Sequence, residues 1–239
     1  MPINIKLDHD EKGKSVDETV YRGMIVSLLY LTGSRPNIVH SVCLCARFQS
    51  SPKESHLVAV KRIFTYLRGT SDLSMWYPRG GSLNLHGYSD ADYARSLVDR
   101  KSTSCIAHYL RPCFIFWACK KQNSVALSTA ESEYVSAALC CAQILWIKQQ
   151  LRYFGIDYGC VPILCDNTSA INISKNPVQH SRTKHIDIRH HFLRDNAEKG
   201  QIELKFCQTE DQLADIFTKP LPRERFQKIR LELGLINLS

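Results

Sequence analysis

The feature that most constrains this chain is a change of hydrophobic period at Tyr77-Pro78-Arg79-Gly80-Gly81. Pro and Gly together end any regular element, so this cluster predicts a boundary. Upstream, Tyr21, Met24, Ile25, Leu28, Leu29 and Leu31 fall mostly on one face of a 3.6-residue helix. Ser34-Arg35-Pro36 breaks that helix, and a second follows through Val39, Val42, Ala46 and Phe48. Ser51-Pro52-Lys53-Glu54 reads as a capping box with proline at the first position of a third helix. Its apolar stripe is Leu57, Val60, Ile63, Phe64 and Leu67, and Gly69 stops it. Lys53, Lys61, Arg62 and Arg68 give it a basic side. Residues 1–16 are polar and are expected to be a flexible lead.

Downstream the period is two. Leu83, Leu85 and Gly87 alternate with Asn84, His86 and Tyr88, and residues 102–110 and 113–119 read as further strands turning at Arg111-Pro112. A long helix is predicted over 129–151, opened by the capping box Ser128-Thr129-Ala130-Glu131. A short buried strand over 161–165, a charged helix over 183–199, a strand through Ile202, Leu204 and Phe206, and a helix capped at Thr209 complete the pattern. The order β-β-β-α-β-α-β-α predicts an α/β domain, a mixed five-stranded sheet with flanking helices, preceded by a small helical segment.

Lys and Arg exceed Asp and Glu by 31 to 23, for a net charge of +8. That balance favours an acidic partner such as nucleic acid. No run approaches the ~18–20 apolar residues of a membrane span, and the polar start carries no secretory signal, so an intracellular protein without a membrane partner is expected. Of the ten cysteines, Cys43, Cys45, Cys105, Cys119, Cys140, Cys141 and Cys165 lie in apolar runs, as reduced core thiols do. His180, His185, His190 and His191 lack a nearby cysteine of zinc-site spacing and read as a solvated helix.

Four acids fall where chemistry would use them: Asp90 and Asp166 where apolar strands run out, and Glu133 and Asp215 in early turns of predicted helices. Carboxylates gathered at one sheet edge suit divalent-metal hydrolysis of a phosphodiester, with two Mg²⁺ ions held ~3.5–4 Å apart. Glu131 sits about 200° around the helix from Glu133 and has a structural role as the third residue of the capping box. Asp92 shares the strand face of Asp90.

Tyr-Ser-Asp-Ala-Asp-Tyr-Ala (88–94), Asp-Arg-Lys-Ser-Thr-Ser (99–104), Lys-Lys-Gln-Asn-Ser-Val-Ala-Leu-Ser-Thr-Ala-Glu-Ser-Glu-Tyr (120–134), Cys-Asp-Asn-Thr-Ser-Ala-Ile (165–171), Lys-His-Ile-Asp-Ile-Arg-His-His-Phe (184–192) and Gln-Leu-Ala-Asp-Ile-Phe-Thr-Lys-Pro-Leu (212–221) resemble the ribonuclease H domain of copia-type LTR retrotransposon polyproteins. The segments at 21–38 and 59–70 resemble the end of that family's reverse transcriptase. The resemblance implies a helical remnant of reverse transcriptase over 17–78, a ribonuclease H-like domain over 82–219 and a helical tail over 220–239. It implies endonucleolytic cleavage of RNA in an RNA–DNA hybrid by two Mg²⁺ ions, with Mn²⁺ as an alternative, and catalytic roles for Asp90, Glu133, Asp166 and Asp215. Asp90 is preferred to Asp92 because it follows the apolar strand in the family pattern. Ser102, Thr103, Asn167, Thr168, Arg182 and Lys184 are the expected nucleic-acid contacts. The expected partners are the hybrid and the rest of the Pol polyprotein or reverse transcriptase, in cytoplasmic virus-like particles and in the nucleus. The chain has no Tyr-x-Asp-Asp polymerase motif. Arg95 stands where the family carries glycine, and the alternative reading is a catalytically inactive nucleic-acid-binding fragment.

Overall fold

The computed structural model describes residues 7–95, 99–175 and 187–237. The chain divides into two compact units, Met1–Trp76 with Lys219–Ser239, and Tyr77–Thr218.

The first unit opens with α1 (Glu18–Leu31), whose N-cap Asp17 accepts a hydrogen bond from Val20 N–H. A 3₁₀ turn at Pro36–Ile38, α2 (Val39–Ala46) and α3 (Glu54–Arg68) follow. Tyr21, Ile25 and Leu28 of α1 meet Val42 and Cys45 of α2 and Ala59, Val60 and Ile63 of α3 in one core. Each large aliphatic buried this way stabilises the unit by about 1.5–3 kcal/mol. Arg35, in the segment that breaks the first helix, donates to Leu73 O at 2.7 Å and to Thr70 O.

The start of α3 differs from the expected capping box. The helix begins at Glu54, and the imidazole of His56 takes the place of a hydroxyl cap by accepting from Lys53 N–H at 2.9 Å. The other ring nitrogen, 2.7 Å from Asp8 O, is therefore the one carrying the proton. Residues 7–16, expected as a flexible lead, are thus tied to α3, with Val16 N–H donating to Pro52 O and Glu54 N–H to Lys14 O. A short strand β1 (Leu73–Met75) ends this stretch.

In the second unit, β2 (Asn84–Asp92), β3 (Thr103–Arg111) and β4 (Cys113–Lys121) form an antiparallel meander. Helix α4 (Thr129–Tyr153) leads to β5 (Val161–Cys165), which pairs parallel with β2. Then come α5 (Thr168–Lys175), α6 (Asp187–Glu198) and β6 (Ile202–Phe206), the last pairing parallel with β5. The sheet order is β4-β3-β2-β5-β6: a mixed five-stranded sheet with flanking helices, as the pattern predicts. Helix α5 is an addition to the predicted order. The predicted helix over 183–199 is seen from Asp187, and its earlier residues lie outside the described ones. Thr209–Asp211 is a separate 3₁₀ turn, and Asp215 begins its own helix, α7 (Asp215–Thr218), so the single capped helix expected there is corrected.

Helix α4 lies close on the sheet because β2 has no side chain at Gly87. A Cβ there would stand 2.6 Å from Cys140 Sγ and 3.1 Å from Ile144 Cδ1. The helix ends in a Schellman motif, with Gly155 at φ +74° and Ile156 N–H returning to Leu151 O. Lys148, buried on α4, donates to Gly159 O at 2.7 Å and Gln201 Oε1 at 2.8 Å, clamping two loops, and burial pushes its pKa down.

His108 of β3 is fully buried against α4, its Nε2 3.3 Å from Cys140 O. Burial lowers its pKa to about 4, against roughly 6.5 in the unfolded chain. Between these values the unfolded state binds the proton and the folded state does not, so stability falls as pH drops from 6.5 towards 4, by about 3 kcal/mol in total. Urea denaturation across that window is expected to show this loss, and a His108→Phe chain to lack it.

The remaining elements are α8 (Arg223–Glu232) and β7 (Leu235–Asn237). They belong to the first unit, where β7 pairs antiparallel with β1 and Phe226 meets Tyr66 edge to face. All ten cysteines are free. Among the described residues, no helix is long and apolar enough to cross a membrane.

Candidate active site

Strand pairing begins the site. Gly87 pairs with Ile163 and Tyr88 with Leu164 on adjacent parallel strands. Two residues further along both chains come Asp90 and Asp166. They leave neighbouring strands at the same level, where strands are spaced about 4.8 Å. Asp90 is still inside β2, which runs to Asp92, and is buried at 3% exposure.

Helix α4 supplies the third carboxylate. Glu133, Ala137, Cys140 and Ile144 recur at helical spacing on its buried side. The close approach at Gly87 therefore brings the helix start to the strand ends. Ser136 Oγ fastens this arrangement by donating to Asp90 O at 2.9 Å. The two glutamates divide as their geometry demands. Glu131 Oε2 accepts from Leu127 N–H at 2.8 Å and Glu131 N–H donates to Ser128 Oγ, which fixes the helix start. Glu133 instead groups with Cys165 and Asp166, a ligand atom from each lying within 4.8 Å of the others.

Asp215 arrives from α7 and is fully buried. Thr218, one turn later, hydrogen-bonds Asp90 Oδ2 and lies 3.1 Å from Asp215 O, tying this helix to the strand. Gln212 Nε2 adds a bond to Ser89 O at 2.9 Å. Thr209 Oγ1 donates to Asp166 Oδ2 at 3.0 Å. Burial, and then the carboxylates of Asp166, Asp211, Asp215 and Asp90 around it, push the Cys207 thiol up to about 12. Burial and the charges of Glu133 and Asp166 push Cys165 up as well. Both thiols are protonated at neutral pH.

The structure thus groups Glu133 with Asp166 and, through Thr218, ties Asp90 to the helix that begins at Asp215. Asp92 takes another role: half-buried, it pairs with Arg95 at 3.3 Å. Arg95 is held by that pair, beside a turn in which Ala94 adopts φ +49°. The expected nucleic-acid contacts fare differently. Ser102 is fully buried, and its hydroxyl accepts from Ala94 N–H at 3.1 Å; Thr103 is buried within β3. Neither side chain is exposed at the surface. Asn167 caps α5 by accepting from Ala170 N–H at 2.9 Å, and Thr168 beside it is exposed. Arg182 and Lys184 lie outside the described residues, as do the side chains of the four histidines at 180, 185, 190 and 191.

Sequence reasoning missed Ser136, Thr209, Gln212 and Thr218, which orient the acids. Thr218 lies three residues after Asp215, the helical spacing that would have flagged it.

No family model matches the chain. It is 41% identical over 223 residues to the retrovirus-related Pol polyprotein from transposon RE1 of Arabidopsis thaliana, covering 93% of this chain and 15% of the relative. It is 38% identical over 239 residues to that from transposon RE2 of the same plant, covering 100% and 16%. The chain therefore spans about one sixth of the length of these relatives. Among solved structures, the N-terminal RNase H domain of rv2228c from Mycobacterium tuberculosis, fused to maltose-binding protein, aligns over 63% of this chain and 98% of its own at 8% identity, with a TM-score of 0.43. With nearly its whole length aligned at about 40% identity, the chain belongs to the retrovirus-related Pol polyproteins of copia-type transposons.

Proposed function

We propose that the Tyr77–Thr218 unit is a ribonuclease H that hydrolyses the RNA strand of RNA–DNA hybrids. The observation that supports the reading is a chain of contacts between carboxylates of separate elements: Glu133 groups with Asp166, Asp90 lies level with Asp166 on the next strand, and Thr218 ties Asp90 to the helix of Asp215, with three of the four buried at 4% exposure or less. Buried carboxylates are costly unless a positive charge or hydrogen bonds compensate them. A donor set of carboxylate oxygens with protonated thiols fits a hard divalent cation such as Mg²⁺. Asp90, Glu133, Asp166 and Asp215 would hold it; bound there, two Mg²⁺ or Mn²⁺ ions supply Lewis-acid activation of water and stabilisation of the departing oxygen.

The chain's own residues do the positioning. Thr218 sets the rotamer of Asp90 and Thr209 that of Asp166, while Ser136 fixes the strand beneath them. Cys165 and Cys207 stay neutral and add no further negative charge beside an anionic substrate. In this reading the chain works beside the polymerase part of a longer polyprotein, in cytoplasmic particles where its template is copied.

The test is a hybrid with end-labelled RNA, incubated with the full chain in Mg²⁺ or EDTA. Mg²⁺-dependent fragments with 5′-phosphate ends are expected, with a loss of about a thousandfold or more in Asp90→Asn, the scale of removing a main electrostatic contributor. Tight binding without cleavage would overturn the reading in favour of an inactive binding fragment, as would cleavage that survives the substitution.

A further inference from the structure

We infer that Cys105 and Cys119 form an oxidisable dithiol, a disulfide site whose closure loosens the helix that begins at Asp215. The site stands on strand register and hydrogen bonding; its effect on cleavage rests on the ribonuclease reading above.

Register sets the two thiols opposite each other. Cys105 of β3 is the direct partner of Cys119 of β4. Just beyond this ladder Gln122 N–H donates to Ser102 O at 2.8 Å, which makes Ser102 and Gln122 a hydrogen-bonded pair. Antiparallel pairs alternate, so three steps inward Cys105 and Cys119 are a non-hydrogen-bonded pair, the kind with Cα atoms about 4.5 Å apart and side chains closest. That separation falls in the range a disulfide spans, about 4.4–6.8 Å. The thiols also point the same way. Cys105 Sγ lies 3.2 Å and Cys119 Sγ 3.3 Å from one shared acceptor, Phe217 O. Across the described ladders no other two cysteines are opposed.

Exposure divides the chemistry between them. Cys119 is half-buried, whereas Cys105 has no exposed surface. A small oxidant therefore meets Cys119 first, since thiol oxidation follows access. With hydrogen peroxide, the Cys119 thiolate attacks one oxygen and the O–O bond breaks. The departing oxygen takes up the proton the thiol gave and leaves as water, and Cys119 is a sulfenic acid. Cys105 Sγ then attacks the Cys119 sulfur. The S–O bond breaks, the hydroxyl leaves with the Cys105 proton as a second water, and the disulfide remains. Two thiols have given up two electrons, and one peroxide has become two waters.

The consequence falls on α7. Asp90 is the partner of Cys105 on its other side, so Asp90, Cys105 and Cys119 form one row across β2, β3 and β4. Two consecutive residues of α7 hold that row. Thr218 hydrogen-bonds Asp90 Oδ2, and Phe217 O accepts from both thiols. A disulfide has no S–H to donate, so closure removes both of these donors from the carbonyl of a fully buried residue. The helix that loses them is the four-residue element that Asp215 opens.

The experiment treats the full chain with hydrogen peroxide, blocks the remaining thiols and maps linked peptides by mass spectrometry. Hydrogen exchange of α7 and cleavage of hybrid in Mg²⁺ are measured on the same samples. A Cys105–Cys119 link is expected, with faster exchange at Phe217 N–H, which donates to Ala214 O in the reduced chain. Cleavage should fall roughly tenfold, the scale of one or two lost hydrogen bonds. Dithiothreitol should reverse all three changes. Cys119→Ser keeps a hydroxyl to donate to Phe217 O, so it should match the untreated chain and ignore peroxide. Links among other cysteines in place of this pair would overturn the inference, as would a Cys105–Cys119 link that leaves α7 exchange unchanged. A Cys119→Ser chain that still loses cleavage in peroxide would place the response at another thiol and overturn it too. If the untreated chain never cleaves hybrid, the ribonuclease reading falls, and linkage and exchange still decide the disulfide site.

Discussion

Glu133→Gln is expected to reduce cleavage of hybrid RNA by about a thousandfold or more while leaving the fold intact, and Glu131→Ala to do nearly the reverse. The two residues are two positions apart on α4 and both are buried. Their surroundings separate them. Glu133 lies with Cys165 and Asp166, so a neutral amide there removes one of the charges that would bind a divalent cation. Loss of such electrostatic stabilisation is the largest single effect available to a hydrolytic site. Glu131 holds Leu127 N–H at the start of the helix. Its truncation leaves a donor unmet and should cost about 1 kcal/mol, read as a shifted urea midpoint with unchanged slope. Initial rates in excess Mg²⁺, set beside denaturation curves for both variants, decide the matter. A Glu131 variant that is stable and inactive would reverse the assignment.

Gly87→Ala is expected to be the most damaging single-methyl change in the second unit. The added Cβ meets Cys140 Sγ at 2.6 Å in a fully buried contact. Helix or strand must move to admit it. Overpacking of this kind costs about 1–3 kcal/mol, and the upper end applies because Ile144 and His108 close the other sides. The displaced helix carries Glu133, so cleavage should fall together with stability. A second substitution, Cys140→Ala, removes the clashing sulfur and should recover part of the loss. A coupling of about 1–2 kcal/mol in the double-mutant cycle is expected for residues in contact. Strict additivity would mean that the contact does not limit how α4 lies on β2.

The sheet was legible because its strands alternate or run apolar and its breakers are strong. The residues of β2 to β4, the start of α4 at Ser128 and the carboxylates at the strand ends all follow from local pattern. What escaped was short or non-local. Helix α5 spans eight residues rich in Ile, Ser and Asn, which carry little helical preference. Strands β1 and β7 are three residues each and 160 positions apart, so no local signal joins them. The start of α3 went astray because a histidine side chain does the capping that Ser51 was expected to do. At the site, the acids could be named from the sequence, but Ser136, Gln212 and Thr218 could not, since their bonds cross 46 to 128 residues of chain. The bond from Ala94 N–H to the Ser102 hydroxyl, eight residues away, was likewise not visible in the sequence.

The bond from Thr218 to Asp90 has a consequence for how the protein is made. Chain synthesis is slow beside local folding, so β2, β3, β4, α4 and β5 can assemble while the last segment is still unmade. Three of the four acids then stand together before Asp215 and Thr218 exist. On the proposed function, the nascent sheet would be a folded but incomplete hydrolase, with competence arriving only with the final turn of its domain. Any truncated product, whether from premature termination or proteolysis ahead of that turn, would keep most of the sheet and lose the chemistry.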